Sequence, residues 1–411
     1  MARTRAAAAA LSSILLLAAC AQETGPITSQ TNRTADPAPA VTGDDGSTWT
    51  APVSVPGATA PDQEDEQTGP VEVTVGAIGD ILSHAPVIAN ASLNAGGQAG
   101  RYDFAPMFAE VEPLLSAPDV TICHMETPLS ADNTNLTQPR TLVFNTPREV
   151  ADALAGAGVD GCDFASNHTM DQGLEGLRQT QEVIEEAGMA YSGPVAEEDR
   201  AEEVTVFDVD GVQLAHLAYT YTYPNSGTPT THVPQPWLER FLWPAIGADG
   251  ILEQAELARA DGADFVVVSM HWGTEYQTEP NADQVELAEA LLSSDHVDAI
   301  IGTHVHVVQP CETINGKVVA YGLGNFLSNQ SPETARGLRP ETQEGMVARF
   351  TLRRDEDGTI TSSMAYQPTR VDLEGHVVRP ATPQSHPETV ERTAATMDAL
   401  GQRSCGAQPW G

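Results

Sequence analysis

Five β-type apolar runs in this chain are each followed by side chains that can bind metal ions. The runs span residues 71–78, 119–125, 163–165, 265–270 and 299–301. The side chains after them are Asp80, Glu126, Asn167, His168, His271, His304 and His306. Carboxylate, amide and imidazole groups together suit a pair of divalent cations that share a water molecule. The set therefore predicts a dinuclear metal centre.

Each residue type suggests a role in that centre. Asp80, preceded by a glycine at a strand end, is the best first carboxylate, and Glu126 is the best carboxylate to bridge two cations. His304 and His306 are favoured as a pair because alternate residues of a strand point to one side. The predicted metal ligands are Asp80, His84, Glu126, Asn167, His271, His304 and His306.

His168 is predicted to donate a proton to a leaving group rather than to bind metal. Asp171, three residues later, could hold the other nitrogen of that imidazole and fix its tautomer. Both residues are therefore candidate catalytic groups.

Structural explanations compete with these roles. Asp80 could cap a turn, and Glu126 could be an exposed acid beside Pro128. His84 and His271 could each be an ordinary loop or strand histidine. The histidines interpreted as lying outside the site are His124, expected to face away from it, and His216, His232, His296 and His376. Residues 322–326 are interpreted as a turn beside the site.

The elements that must position these residues alternate between strand and helix. Helices are predicted at 104–115, 147–158, 174–187, 251–259 and 282–293, and hairpins at 204–217, 311–321 and 346–366. This order indicates a layered α/β sandwich with parallel and antiparallel parts. In such sheets ligands bind outside the carboxyl ends of the strands, where the candidates lie.

The N-terminal region predicts export and anchoring. Residues 1–20 carry Arg3 and Arg5, an apolar stretch and then Cys20, as in a lipoprotein signal peptide whose cysteine becomes the lipid-bearing N-terminus. Residues 21–70 are rich in Pro, Thr and acidic residues and predict a disordered tether. Residues 71–411 then form one domain with a C-terminal hairpin annex. We expect an extracytoplasmic protein, attached to the cell membrane through lipidated Cys20.

Charge and composition exclude several function classes. The net charge of −37 argues against nucleic-acid binding. The one lysine, Lys317, is followed by valine, so no phosphate-binding P-loop exists, and no Gly-x-Ser-x-Gly nucleophile motif occurs.

The four cysteines after Cys20 favour disulfides in an exported chain. Pairing of Cys311 with Cys405 would leave Cys123 with Cys162 on neighbouring strands, one of three possible connectivities.

In several motifs the chain resembles the CapA-type bacterial capsule (poly-γ-glutamate) synthesis protein family. The motifs are Gly79-Asp80, Glu126-Thr127-Pro128-Leu129, Ser166-Asn167-His168, His271-Trp272-Gly273-Thr274-Glu275-Tyr276, Gly302-Thr303-His304-Val305-His306 and Gly322-Leu323-Gly324-Asn325-Phe326. They cover about residues 73–330. The family looks like a branch of the calcineurin-like metallophosphoesterases. The resemblance implies a four-layer αββα sandwich of the metallophosphoesterase type with two metal ions, Mn, Fe or Zn.

Departures from the wider phosphoesterase pattern matter for activity. Three residues separate Asp80 from His84 where that pattern has Asp-x-His, and Glu126 stands where it has Asp.

Three functions are consistent with these observations. The first is a membrane-tethered protein of capsule-polymer biosynthesis that retains hydrolase chemistry and works with other synthesis subunits. The second is an extracytoplasmic phosphodiesterase or phosphatase unrelated to capsule, and the third is a non-catalytic polymer-binding scaffold.

Overall fold

The computed structural model describes residues 53–54, 70–225 and 233–410. The predicted signal peptide, with Cys20, and almost all of the predicted tether lie outside the described residues. The exception in the tether is Val53–Ser54, which forms a short strand. Among the described residues, no helix is both long enough and apolar enough to cross a membrane.

Strands and helices alternate through most of the chain. The strands are β1 (Val53–Ser54), β2 (Val71–Ile81), β3 (Val120–Met125), β4 (Leu129–Ser130), β5 (Thr146–Pro147), β6 (Gly161–Asp163), β7 (Ala190–Ser192), β8 (Thr205–Val209), β9 (Val212–Thr220), β10 (Phe265–His271), β11 (Ala299–Thr303), β12 (Cys311–Ile314), β13 (Lys317–Ala320), β14 (Asn325–Leu327), β15 (Glu344–Arg354), β16 (Ile360–Asp372), β17 (Val377–Pro380) and β18 (Gln408–Pro409). The helices are α1 (Ala85–Asn94), α2 (Ala105–Phe108), α3 (Glu112–Leu115), α4 (Glu149–Gly156), α5 (Gly173–Glu186), α6 (Trp243–Ala260), α7 (Ala282–Leu292) and α8 (Pro387–Met397).

Two large sheets organise the described residues. One has the order β1-β8-β9-β10-β11-β13-β12, and the other has the order β17-β16-β15-β2-β3-β6-β7, with β14 beside β2 and β18 beside β16. β9, β10, β11 and β13 run parallel, as do β2, β3, β6 and β7. The carboxyl ends of the central strands of each sheet therefore open at one edge.

Three apolar cores show that the molecule has four layers. Residues of both sheets, such as Val75 of β2 and Val267 of β10, share one core between the sheets. A second core joins α1 to α5 to the outer face of the β2 sheet, and a third joins α6 and α7 to the outer face of the β10 sheet. The order helix, sheet, sheet, helix confirms the predicted αββα sandwich.

The predicted helix at 104–115 is in fact two short helices, α2 and α3. Pro106 and Pro113 each stand in the first turn of one of them. Proline has no N–H for the helical hydrogen bond and clashes with the preceding turn, so the second proline ends the first helix. The apolar side chains of this segment nevertheless pack inward: Phe104, Met107, Phe108, Val111 and Leu115 are buried, and Leu114 is partly buried.

The C-terminal hairpin was expected to be an annex, but it is part of the larger sheet. β15 pairs antiparallel with β2 from Val347 opposite Ile78 to Arg354 opposite Val71. Phe350 and Leu352 are fully buried in the core between the sheets. The hairpin is therefore needed to complete the sheet that carries Asp80.

Candidate metal centre

Close backbone packing places Asp80 at the centre of the site. Asp80 is fully buried and lies opposite Asn325 of β14. Its backbone N–H donates to the Gly324 carbonyl at 3.0 Å. A Cβ atom on Gly79 would collide with that carbonyl oxygen, so the residue before Asp80 must be glycine. The glycine was expected to leave space for a metal, but it leaves space for the neighbouring strand.

A first ligand group combines Asp80, Glu126 and His306. The His306 Nδ1 atom lies 3.1 Å from Asp80 Oδ2, and its Nε2 atom lies 3.6 Å from Glu126 Oε1. Burial alone would lower the pKa of His306, but the carboxylates of Glu126 and Asp80 raise it to about 10. Their field therefore attracts a positive charge to this position.

A second ligand group combines Glu126, His271 and His304. The amide oxygen of Asn167 lies 3.0 Å from His271 Nε2, so Asn167 borders the same group. Burial lowers the pKa of His304 to about 3 and holds the pKa of His271 well below its usual value. Both rings are thus neutral, the form in which imidazole binds a metal ion.

Glu126 belongs to both groups, and its surroundings fit a bound cation. The side chain is fully buried, and neither carboxylate oxygen has a hydrogen-bond partner among the described residues. The Nδ1 atom of His304 is also buried and has no hydrogen-bond partner among the described residues. An isolated buried carboxylate is strongly unfavourable unless a cation or donor compensates it. Burial accordingly raises the pKa of Glu126 to about 7. The donor set of oxygens and imidazole nitrogens suits divalent ions such as Mn, Fe or Zn.

His304 and His306 reach the site through an unusual backbone. β11 ends at Thr303, and both histidines have positive φ angles, 88° and 58°. Non-glycine residues adopt such angles rarely, and they concentrate at functional sites. Both rings face the carboxylates, but strand alternation, which was expected to place them there, is the wrong explanation: the positive φ angles turn them towards the site. The His304 N–H donates to Asp80 Oδ1 at 3.0 Å, which holds this turn against β2.

His124 was expected to face away from the site, and this was wrong. It forms a third group with Asp80 and His271, and its Nε2 atom lies 3.0 Å from His271 Nδ1. Its Nδ1 atom lies 2.6 Å from the Asp163 carboxylate on the neighbouring strand. Residues 124 and 126 are two apart, so strand alternation itself places them on one side. The two-residue spacing from Glu126 is therefore the sequence signal that indicates His124.

His168 and Asp171 lie together as predicted. The His168 Nδ1 atom is 2.8 Å from Asp171 Oδ2, which also accepts the Phe144 N–H at 2.7 Å. The Phe144 ring packs edge-on against His168, with centroids 4.7 Å apart. Asp171 thus fixes both the imidazole and the loop that covers it. The catalytic role of the pair remains a prediction.

His84 lies outside all three ligand groups among the described residues. It directly precedes α1, and its Nδ1 atom lies 3.1 Å from the Leu82 carbonyl. Its ring packs edge-on against Phe144, with centroids 5.4 Å apart. The chain turns into α1 immediately after β2, which carries His84 to the Phe144 side. The geometry therefore does not place His84 among the metal ligands.

Asn325, Tyr276 and Tyr221 also contact the site; of these, only Tyr276 was considered individually from the sequence, as a residue that could line a pocket or could equally be a packing residue. The Asn325 amide oxygen lies 3.0 Å from His306 Nδ1. The ring centroids of Tyr276 and His306 are 5.8 Å apart, and those of Tyr221 and His304 are 4.6 Å apart. The turn expected beside the site at 322–326 contains Asn325, so the sequence did indicate its position. Trp272, which precedes Tyr276 in the same motif, is fully buried and packs against Tyr321.

The disulfides have the favoured connectivity, Cys123–Cys162 and Cys311–Cys405. Cys123 and Cys162 directly precede His124 and Asp163, and each cysteine is paired with the other across β3 and β6. The first disulfide therefore fastens the two strands that hold the His124–Asp163 contact.

The fold and the buried ligand groups define an α/β sandwich protein with a candidate metal centre at its strand ends. The chain belongs to the bacterial capsule synthesis protein family PGA_cap, whose sequence profile matches residues 74–330.

Two relatives have related names. The chain is 27% identical over 281 residues to the PGA biosynthesis protein CapA of Bacillus subtilis, covering 67% of this chain and 66% of the relative. It is 28% identical over 281 residues to the capsule biosynthesis protein CapA of Bacillus anthracis, covering 65% and 64%. The matched region thus spans slightly less than two thirds of either relative.

Among solved structures, the calcineurin-like phosphoesterase YfkN from Bacillus subtilis aligns with 79% of this chain and 97% of its own, at 15% identity and a TM-score of 0.39.

Proposed function

We propose that this protein is a divalent-metal-dependent phosphoester hydrolase that acts in the biosynthesis of a capsule polymer of the poly-γ-glutamate type. Family membership and the names of the two relatives support the capsule part. The observation that carries the hydrolase part is the position of Glu126. Its carboxylate belongs to two ligand groups, and both oxygens are buried without a hydrogen-bond donor among the described residues.

The proposal assigns the ligands to two positions that share Glu126. Asp80, His306 and Asn325 would hold one ion. Asn167, His271 and His304 would hold the other. His124 does not complete either position in this assignment; it contacts His271 Nδ1 and is itself held by Asp163. The contact with His124 would fix the orientation and tautomer of His271, and a ligand held in this way binds metal more strongly.

The remaining residues would orient the substrate and move the proton. When bound, two divalent ions activate a water molecule and stabilise the charge that develops in a phosphoester displacement. The Asp171 carboxylate holds a proton at Nδ1 of His168 when the ring is charged, and leaves Nε2 to donate to the leaving oxygen. The Tyr221 and Phe144 rings border the imidazoles and exclude water from them.

The proposal includes the location expected from the N-terminal sequence. Lipidated Cys20 would attach the protein to the outer face of the cell membrane, beside other subunits that assemble the polymer. Globomycin, which blocks lipoprotein signal cleavage, or the substitution Cys20→Ala would then release the protein from the membrane fraction or arrest its processing. Unchanged processing and membrane association in both cases would contradict the anchor and leave the metal centre unaffected.

The test of the metal centre uses the full-length chain, purified and dialysed, with metal content measured by plasma mass spectrometry. We expect about two equivalents of metal per chain, together with hydrolysis of bis(p-nitrophenyl) phosphate. Glu126→Gln keeps the shape of the side chain and should lose both. Glu344→Gln is the matched control, because Glu344 is also buried but lies among arginines outside the ligand groups.

Each outcome has a separate consequence. The absence of metal after incubation with Mn, Fe and Zn would overturn the proposal, and bound metal without hydrolysis of any phosphoester would overturn its enzymatic part. In the host, the wild-type gene should restore the capsule polymer to a deletion strain, and the Glu126→Gln gene should not. Restoration by both would separate the metal centre from capsule synthesis.

A further inference from the structure

A cavity lies away from the three ligand groups of the candidate metal centre. It has a volume of about 640 Å³ and is lined by the end of α5, β7, β8, β9 and α6. None of its lining residues belongs to the three metal-binding groups. Cavities of this size hold small organic molecules.

Two buried polar groups on its wall have no partner among the described residues. The Tyr219 side chain is 1% exposed, and its hydroxyl makes no hydrogen bond there. The His216 Nδ1 atom is equally unpartnered, although Nε2 lies 2.8 Å from the Ser269 hydroxyl. Buried polar groups are almost always hydrogen-bonded in native proteins. A molecule in the cavity would supply the missing partner to Tyr219.

One positive charge on the wall is poorly neutralised. Arg200 lies between Glu185 and Glu203, at 3.0 and 2.8 Å, so its charge is compensated. Among the described residues Arg240 has only Glu202, at 3.6 Å, and the Glu202 side chain is 90% exposed. The Nε atom of Arg240 has no hydrogen-bond partner in that part of the chain. Thr220 and Leu242 form a parallel β-bridge, so the segment that carries Arg240 runs beside Tyr219, and both residues line the cavity.

Apolar side chains form much of the rest of the wall, which also carries the carboxylates of Glu185, Glu203 and Asp261. Met189, Val195, Leu217, Phe241 and Ala258 line it, and all are buried. Apolar walls with a few polar groups at one end bind molecules that have an apolar body and one polar end. Arginine and a phenolic hydroxyl both donate hydrogen bonds, so the polar end must accept them.

We propose that this cavity binds an amphiphile with a single anionic head group, which Arg240 and Tyr219 hold, and with an apolar body against Leu217 and Phe241. The head is a carboxylate or a phosphate monoester, because guanidinium pairs with both. The site is independent of the metal centre.

The test is calorimetric titration of the full-length chain with decanoate, decyl phosphate and decanol. We expect one equivalent of an anionic ligand to bind, with decanol at least about tenfold weaker. The tighter of the two anions identifies the head group. Arg240→Gln should weaken binding about tenfold, and Tyr219→Phe about three- to tenfold, because each removes one donor and no bulk.

The controls separate this site from the rest of the protein. Arg178→Gln removes an arginine of α5 that does not line the cavity and should bind as the wild type does. Glu126→Gln should also bind normally, so failure of the metal centre and failure of this site give different results. The proposal is overturned if the wild type binds no ligand, or if Arg240→Gln and Tyr219→Phe both bind it as tightly as the wild type does. Water would then be the occupant of the cavity. Equal binding of decanol and decanoate overturns the anionic head group.

Discussion

Glu126 and Glu344 are both glutamates buried next to strand ends, but their surroundings differ completely. Glu344 accepts hydrogen bonds from Arg392 Nε at 3.0 Å and from the Thr389 hydroxyl at 2.7 Å, and Arg370 lies 3.4 Å away. Glu126 has no donor among the described residues and faces imidazoles and a second carboxylate. The protein neutralises Glu344 with arginines, whereas Glu126 shares the single imidazole of His306 with Asp80 and is therefore only partly compensated.

This difference distinguishes structural charge from functional charge. A charge that the chain compensates itself contributes to stability, and removal of one partner leaves the others buried and unpaired. A charge that the chain leaves uncompensated reduces the stability of the metal-free protein and contributes binding energy for a ligand.

The largest effect should come from replacing each glutamate with glutamine in the metal-free protein. Glu344→Gln should lower the free energy of unfolding by about 2–3 kcal/mol, since its arginines are partly solvated. Glu126→Gln should raise it, on the order of 1–2 kcal/mol, because one of the two carboxylates that share the His306 imidazole loses its charge. Urea unfolding with a chelator present measures both. Destabilisation by both substitutions would remove the distinction between the two sites.

An effect of comparable size concerns His168, which should act in catalysis without holding metal. His168→Asn should lower kcat about 10²- to 10⁴-fold while metal content stays at the wild-type value. Asp171→Asn should lower kcat less, because the amide keeps the place of the carboxylate beside the ring but carries no negative charge. A parallel loss of metal and activity in His168→Asn would instead assign His168 to the ligands.

A smaller effect is expected at His124, which borders the ligand groups. Burial would lower the pKa of this ring, but the Asp163 carboxylate raises it above the usual value. His124→Gln and Asp163→Asn should each weaken metal binding about 10- to 100-fold, as loss of a group that orients a ligand does. Competition with a fluorescent chelator gives the constants. His296→Gln, at a histidine outside the groups, is the control and should bind metal normally.

The smallest effect tests a histidine that the chain satisfies itself. The two ring nitrogens of His376 lie 2.6 Å from the Asn90 amide nitrogen and 2.9 Å from the Asn329 amide oxygen. Burial lowers the pKa of His376 to about 4 from 6.5. The unfolded chain therefore binds this proton more tightly than the folded protein does. The contribution of the neutral ring is complete above about pH 6.5 and is lost as the pH falls towards 4.

At about pH 5.5 this loss should be roughly 1 kcal/mol relative to neutral pH. His376→Gln should reduce that part of the pH dependence, measured as the difference in urea midpoints at the two pH values. An unchanged pH dependence in the variant would show that other groups control the acid stability.

Much of the site could be predicted because one topological rule governs it. Parallel strands end at one edge of a sheet, so Asp80, Glu126, Asn167 and His271 were identified from apolar runs and the residues after them. The alternation of strands and helices indicated a layered α/β sandwich, and the resemblance to the CapA-type family implied its four layers. None of these inferences needed side-chain geometry.

The rest depended on backbone angles and on strand neighbours that the sequence does not reveal. His304 and His306 were predicted as ligands, but the positive φ angles that turn them inward were not. Asn325 reaches the site because β14 lies beside β2. The position of His84 depends on a helix, α1, whose weak periodicity gave no prediction. The cavity beside Tyr219 is lined by consecutive elements between residues 181 and 263, but its shape depends on how they pack, which no local sequence pattern indicates.

The pairing of β15 with β2 has a consequence for the order in which the protein can be completed. β2 is the first long strand to be synthesised, and its antiparallel neighbour begins only at Glu344. Until that segment has emerged, the edge of an almost wholly apolar strand has no partner along Val71–Ile78. Bare strand edges recruit other chains. A chain interrupted before Glu344 would therefore aggregate instead of folding into a smaller version of the protein.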